Sequence, residues 1–138
     1  MVTLGTGIGV ALLDNGKPFR TSDGQHPEAG HIPVSGNPTT CYCGLRGCWE
    51  MLASRTWLQQ NLETLLPEHP FEKKDINFYK EMAKEREDIA SVFHRYGNYL
   101  GRGLVTLLTL YGPDLTILSG SAAHYYPCLL YTSDAADE

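Results

Sequence analysis

Three cysteines within eight positions, Cys41, Cys43 and Cys48, constrain this chain more than any other feature. They close a stretch, residues 18–49, that is rich in Gly, Pro, Ser and Thr and follows neither helical nor strand periodicity. A segment of that length inside a compact domain needs something other than an apolar core to order it. A metal ion meets that need. Zinc favours four ligands drawn from thiolate sulfur and imidazole nitrogen, set as a tetrahedron. The three cysteines supply three of them, and Gly44 and Gly47 permit the tight turns that bring the sulfurs to one point. His31, ten residues before Cys41, is the expected fourth ligand. His26 is a rival, read in preference as a solvated loop histidine. A closed Cys3His set is structural and not catalytic. Two competing readings are reduced cysteines packed as small hydrophobes and a Cys41–Cys43 disulfide, which so short a spacing would strain.

The rest of the composition narrows the class. At 138 residues, 42% of them hydrophobic, the chain can hold one ordinary core. Its formal charge of -5 and scattered Lys and Arg offer no basic face for nucleic acid. The opening MVTLGTGIGVALL has no basic leader and is broken by glycines, so neither a signal peptide nor a membrane span is expected. Clustered thiols suit a reducing compartment, which points to the cytoplasm. Both ends read as cut. The chain enters VTLGTGIG directly after Met1, without a lead-in turn, and residues 128–138 (CLLYTSDAADE) read as the translation of a transposon-type sequencing adapter. The domain is therefore placed at 1–127, with Cys128 non-native. The alternative for the end is a natural acidic tail.

Along the chain, 2–5 and 8–13 read as two strands around a glycine turn, and Asp14-Asn15-Gly16-Lys17 as a hairpin turn. A helix is expected from 50 to about 66, with Leu52, Trp57, Leu62 and Leu65 near one face and Pro67 and Pro70 stopping it. A polar helix near 76–85 and a long apolar-striped helix from about 88 to 111 follow. Gly101 and Gly103 in that helix predict close packing against another element. Residues 115–118 (LTIL) fit a buried strand, with Ser119-Gly120-Ser121 as a turn after it. The order of strand, turn, helix and strand gives an α/β class.

Three motifs resemble those of the ROK family, which groups bacterial sugar kinases with related repressors. Glu28-Ala29-Gly30-His31 fits its E-x-G-H motif. Residues 41–50 fit C-x-C-G-x-x-G-C-x-E at every fixed position, and Gly5-Thr6-Gly7-Ile8-Gly9 fits the glycine-rich phosphate turn. The resemblance covers about 2–127 and implies a partial actin-like ATPase (ribonuclease H-like) fold, mainly its second lobe, with a zinc-ordered loop. It implies that Glu28, His31 and Glu50 bind sugar hydroxyls, for which carboxylates and imidazole are suitable partners. It further implies that Gly5, Thr6 and Gly7 hold ATP phosphates through backbone N–H groups, and that Gly120 lies in a second glycine turn near adenosine. A plain strand-end turn is the competing reading for each of these glycine segments. Glu28 also reads as an exposed loop acid, and Glu50 as a first-turn residue favoured by the helix dipole.

The function implied is an ATP-dependent kinase of a hexose or an N-acetylated amino sugar, with Mg2+ on the nucleotide and structural Zn2+. The family's D-x-G-x-T motif and general base do not occur in this chain, and both are expected upstream of Met1. No catalytic residue is therefore assigned, and the fragment is expected to be inactive. A ROK-type repressor is the alternative, with the same site sensing an inducer and DNA bound by a separate helix-turn-helix domain. A stand-alone zinc module is a third reading. A homodimer is compatible with the family, and membranes are not an expected partner.

Overall fold

The structure, a computed structural model, describes residues 1–71 and 75–126. The segment read as adapter-derived, Cys128 included, lies outside the described residues.

Strand β1 (Val2–Leu4) turns Val2 and Leu4 into the core, and Thr3 alternates to the other face. Strand β2 (Ile8–Val10) returns antiparallel, with Leu4 opposite Ile8 and Val2 opposite Val10. Met1 extends this pairing by one step beyond β1. Its amino group donates to Ala11 O at 2.8 Å, and its carbonyl accepts the Ala11 N–H at 2.9 Å. The single strand expected over 8–13 is divided. It ends at Val10, and β3 (Leu13–Asp14) pairs with β4 (Lys17–Pro18) as a separate hairpin. Its turn residues Asn15 and Gly16 sit at φ 49° and 76°, the positive values a tight two-residue hairpin requires.

Strand β5 (Leu118–Ser119) lies parallel to β1 on its other side, giving the order β2-β1-β5. The buried strand expected over 115–118 is thus realised only at its end. Leu115 and Ile117 remain 72% and 49% exposed, because no described element covers the outer side of β5.

The helix expected from 50 to 66 is two helices, α1 (Trp49–Ala53) and α2 (Arg55–Leu65). Ser54 breaks them apart. Its backbone is extended, and its hydroxyl accepts the Trp57 N–H at 3.3 Å as the cap of α2. The break releases the Arg55 N–H to bond Gly5 O at 2.8 Å, and the Thr56 hydroxyl donates to Thr6 O at 2.8 Å. The start of α2 is thereby fastened to the turn after β1. Helix α3 (Ile76–Glu85) is capped by Asp75, whose carboxylate accepts the Phe78 N–H at 3.0 Å. Helix α4 (Glu87–Tyr111) ends at Gly112, which takes the left-handed conformation that halts a helix.

Ile89, Val92, Phe93, Tyr96 and Leu100 recur at three- and four-residue steps along α4 and form one buried stripe. They cluster with Leu58 and Leu62 of α2, Tyr79 of α3 and Val2, Leu4 and Ile8 of the sheet. Phe71, Tyr79, Phe93 and Tyr125 add rings with centroids 5.3 to 6.4 Å apart. Full burial of each such side chain is worth about 1.5–3 kcal/mol. Trp57 and Leu65, expected on the apolar face, sit half-buried at its border.

The two glycines of α4 differ. A Cβ at Gly103 would lie 2.0 Å from Trp49 Cε2, so the helix and the fully buried indole fit only because that side chain is missing. Gly101 has nothing within 4 Å of its missing Cβ, and the close packing expected there does not occur. Gly103→Ala is expected to destabilise by about 1–3 kcal/mol through overpacking. Gly101→Ala is expected to stabilise by about 0.5–1 kcal/mol through helix propensity. Thermal melts of the two variants, moving in opposite directions, check both.

Candidate metal centre and ligand site

Residues 32–48 form a compact knuckle. Ile32 O accepts the Trp49 N–H at 2.9 Å and Gly47 O accepts the Val34 N–H at 2.9 Å. Isolated bridges join Pro33 to Cys48 and Thr40 to Arg46. Cys41 begins a tight turn, closed by the Gly44 N–H on Cys41 O at 2.9 Å and by the Cys41 N–H on Leu45 O at 2.8 Å. Gly44 and Gly47 take φ 90° and 69°, as the motif reading required. A Cβ at Gly47 would also strike Ser35 O at 2.1 Å.

This backbone brings one ligand atom each from His31, Cys41, Cys43 and Cys48 within 4.8 Å of one another. Cys43 Sγ lies 3.6 Å from Cys48 Sγ, and Cys41 Sγ 3.5 Å from His31 Nδ1. Tetrahedral zinc with ordinary bond lengths sets such S–S and S–N edges at about 3.8 and 3.6 Å. The donor set and spacing therefore fit a metal ion. Cys41 and Cys48 are buried and Cys43 is exposed. Burial pushes the Cys48 thiol up to about 12, while a hydrogen bond from the Leu45 backbone holds the Cys43 thiol below its usual range. His26 is not among the four. It bonds Arg20 at 2.6 Å on the surface.

The imidazole of His31 has two neighbourhoods. Nδ1 faces the sulfurs, and Nε2 faces outward, 3.9 Å from Glu50 Oε1 and 3.1 Å from the Tyr42 hydroxyl. Glu50 sits in the first turn of α1, with its carboxylate in a niche lined by glycines. A Cβ at Gly7 would lie 2.6 Å from Oε2, and one at Gly30 would lie 3.3 Å from it and 2.3 Å from Ile8 O. Glu50 Oε2 also accepts the Ile8 N–H at 3.4 Å. The glycine of Glu28-Ala29-Gly30-His31 is thus required by contact with β2 and the carboxylate. Glu28 opens the 3-10 turn Ala29–His31, with its carbonyl accepting the His31 N–H at 3.0 Å and its side chain exposed.

The glycine turn after β1 lies beside this niche. Within it the Gly5 N–H bonds Gly7 O at 3.0 Å, so that donor is already committed. Gly120 follows β5 at φ 90°, and a Cβ there would strike Leu4 O at 2.5 Å. Gly5, Thr6, Gly7 and Gly120 therefore gather at the carboxyl ends of two neighbouring parallel strands, the edge where open α/β sheets bind ligands. The Thr3 and Ser119 hydroxyls, 3.0 Å apart, tie the two strands together. Met1 stands at the opposite, amino end of β1 and contributes nothing to the site; it is 53% exposed.

A model described as the ROK family matches residues 1–132. The chain belongs to the ROK family. It is similar to the xylose repressor of Bacillus subtilis (strain 168), 33% identical over 140 residues, which span 94% of this chain and 33% of that protein. It is similar to the glucokinase of Thermotoga maritima, 30% identical over 131 residues, which span 86% of this chain and 41% of that protein. The crystal structure of a ROK hexokinase from Thermus thermophilus superposes with a TM-score of 0.73 at 26% identity, over 97% of this chain and 46% of that one. The chain thus spans between a third and a half of these ROK proteins, and its fold is part of their actin-like ATPase fold. No helix among the described residues is long and apolar enough to cross a membrane.

Sequence reasoning missed Tyr42. Its phenol is pushed up to about 12, first by its hydrogen bond to Glu50, then by partial loss of water and by the carboxylate's charge. The signal was its place between two cysteines that turn to one point, which sends the intervening side chain elsewhere.

Metal analysis is expected to give about one zinc per chain, and Cys43→Ser to lose most of it and lower the melting temperature. Because thiolates bind and thiols do not, zinc affinity is expected to fall as pH falls. Zinc-dependent melting curves across pH measure this.

Proposed function

We propose that the parent protein is an ATP-dependent sugar kinase that phosphorylates a hexose or an N-acetylated amino sugar. The observation that supports this best is the pairing of His31 Nε2 with the Glu50 carboxylate 3.9 Å away, next to the glycine turns at the carboxyl edge of the sheet. An imidazole N–H donor and a carboxylate acceptor side by side suit the vicinal hydroxyls of a sugar. The hexokinase and glucokinase among the similar proteins support the same reading.

In this proposal Zn2+ is held by His31 Nδ1, Cys41, Cys43 and Cys48. Bound there it is structural. It cross-links the knuckle and settles the His31 tautomer, placing the imidazole proton on Nε2. His31 Nε2–H and the carboxylates of Glu50 and Glu28 then bind sugar hydroxyls, while Gly5, Thr6, Gly7 and Gly120 border the nucleotide and its Mg2+. In this reading the general base belongs to a part of the ROK architecture outside this chain, which spans a third to a half of its relatives' length.

The resemblance to the xylose repressor favours a second reading, in which the same sugar site senses an inducer and a separate domain binds DNA. Sugar-dependent ADP formation by the full-length protein supports the kinase. Sugar-dependent release from operator DNA without ADP formation supports the repressor.

In the full-length protein Glu28→Ala is expected to weaken sugar binding at least tenfold, with ATP affinity changed less than twofold. Calorimetry with each ligand measures both, and equal losses would contradict the assignment.

A further inference from the structure

We infer that Tyr42 is a gate on the sugar site, its phenol hydroxyl occupying the position between His31 Nε2 and Glu50 that a sugar hydroxyl must take. This rests on the sugar-site reading above and adds a residue that the motifs do not contain.

The geometry is specific. The Tyr42 hydroxyl lies 3.1 Å from His31 Nε2, and the two rings meet edge to face with centroids 5.1 Å apart. The same nitrogen is 3.9 Å from Glu50 Oε1, longer than a direct hydrogen bond and suited to a shared hydroxyl. With the imidazole proton on Nε2, that N–H donates to the phenol oxygen, which leaves the phenol O–H to turn toward the Glu50 carboxylate beside it. One hydroxyl therefore satisfies one donor and one acceptor. A sugar hydroxyl offers the same pair of functions, so phenol and sugar compete for one place.

The phenol is also free to leave. Tyr42 is 82% exposed, and a rotation about its side-chain bonds takes the ring into solvent without disturbing the core. Its backbone is held by the neighbouring Cys41 and Cys43, so the displaced ring stays at the mouth of the site. The apparent dissociation constant of such a gated site is the intrinsic one divided by the fraction of molecules already open. One hydrogen bond of ordinary strength closes the gate in a ratio of about 3 to 10.

The test uses the full-length, zinc-loaded protein and its Tyr42→Phe variant, which keeps the ring and removes the hydroxyl. D-glucose, D-xylose and N-acetyl-D-glucosamine serve as probes in calorimetry and stopped-flow binding. The expected result is about three- to tenfold tighter binding by the variant of whichever sugar the wild type binds, most of it in the association rate, with zinc content unchanged. Equal affinity, or weaker binding by Tyr42→Phe, overturns the gate and leaves the sugar site standing. Absence of binding by both proteins to all three sugars overturns the sugar-site reading itself, and the gate with it.

Discussion

The indole of Trp49, lodged where α4 has no side chain at Gly103, anchors the site to the core. Trp49 is the first residue of α1, and its neighbours on either side are Cys48 and Glu50. In a helical turn consecutive side chains point about 100° apart. Three adjacent residues therefore face three surroundings: Cys48 the knuckle, Trp49 the core and Glu50 the glycine niche. Loss of the indole's seat would tilt a thiol and a carboxylate together, which explains why so short a helix needs so large and so buried a first residue.

Around that anchor, small residues do the positioning. Gly7 and Gly30 both leave room for one carboxylate. Gly47 admits the Ser35 backbone, and Gly120 admits that of Leu4. These are close approaches of backbone to backbone or backbone to charge, where a methyl group has no place. They link β1, β2, the 3-10 turn and the knuckle with little apolar surface. The site is thus held by close backbone contacts on the sheet side and by the cluster of His31, Cys41, Cys43 and Cys48 on the solvent side.

Much of this was legible in the sequence, for identifiable reasons. The cysteine spacing with two glycines encodes the knuckle because positive φ is nearly glycine's alone. Asn15-Gly16 encodes its hairpin for the same reason, and the stripe on α4 is read directly from its periodicity. What escaped was set by partners distant in sequence. Ser54 divides α1 from α2 because Gly5 offers the Arg55 N–H a carbonyl, fifty positions away in the chain. Gly101 and Gly103 look alike in sequence and differ only in whether Trp49 lies opposite. Strand β5 is shorter and more exposed than its apolar letters suggest, since burial depends on what stands beside it. Tyr42 belongs to no motif, and only the folded turn carries its hydroxyl back to His31.

The bonds from Arg55 and Thr56 to the turn after β1 leave α1 and α2 no slack. One residue inserted into or removed from Trp49–Ala53 would rotate everything beyond it by about 100° and part the carboxylate from its niche. The surface segment 19–27 is different. It closes on itself through the Thr21 N–H on Gln25 O at 2.9 Å, and its residues are almost all exposed. Changes of length in this chain are therefore best accommodated ahead of Glu28. An inserted reporter or tag belongs there as well, since the strands on one side and the knuckle on the other would keep their register.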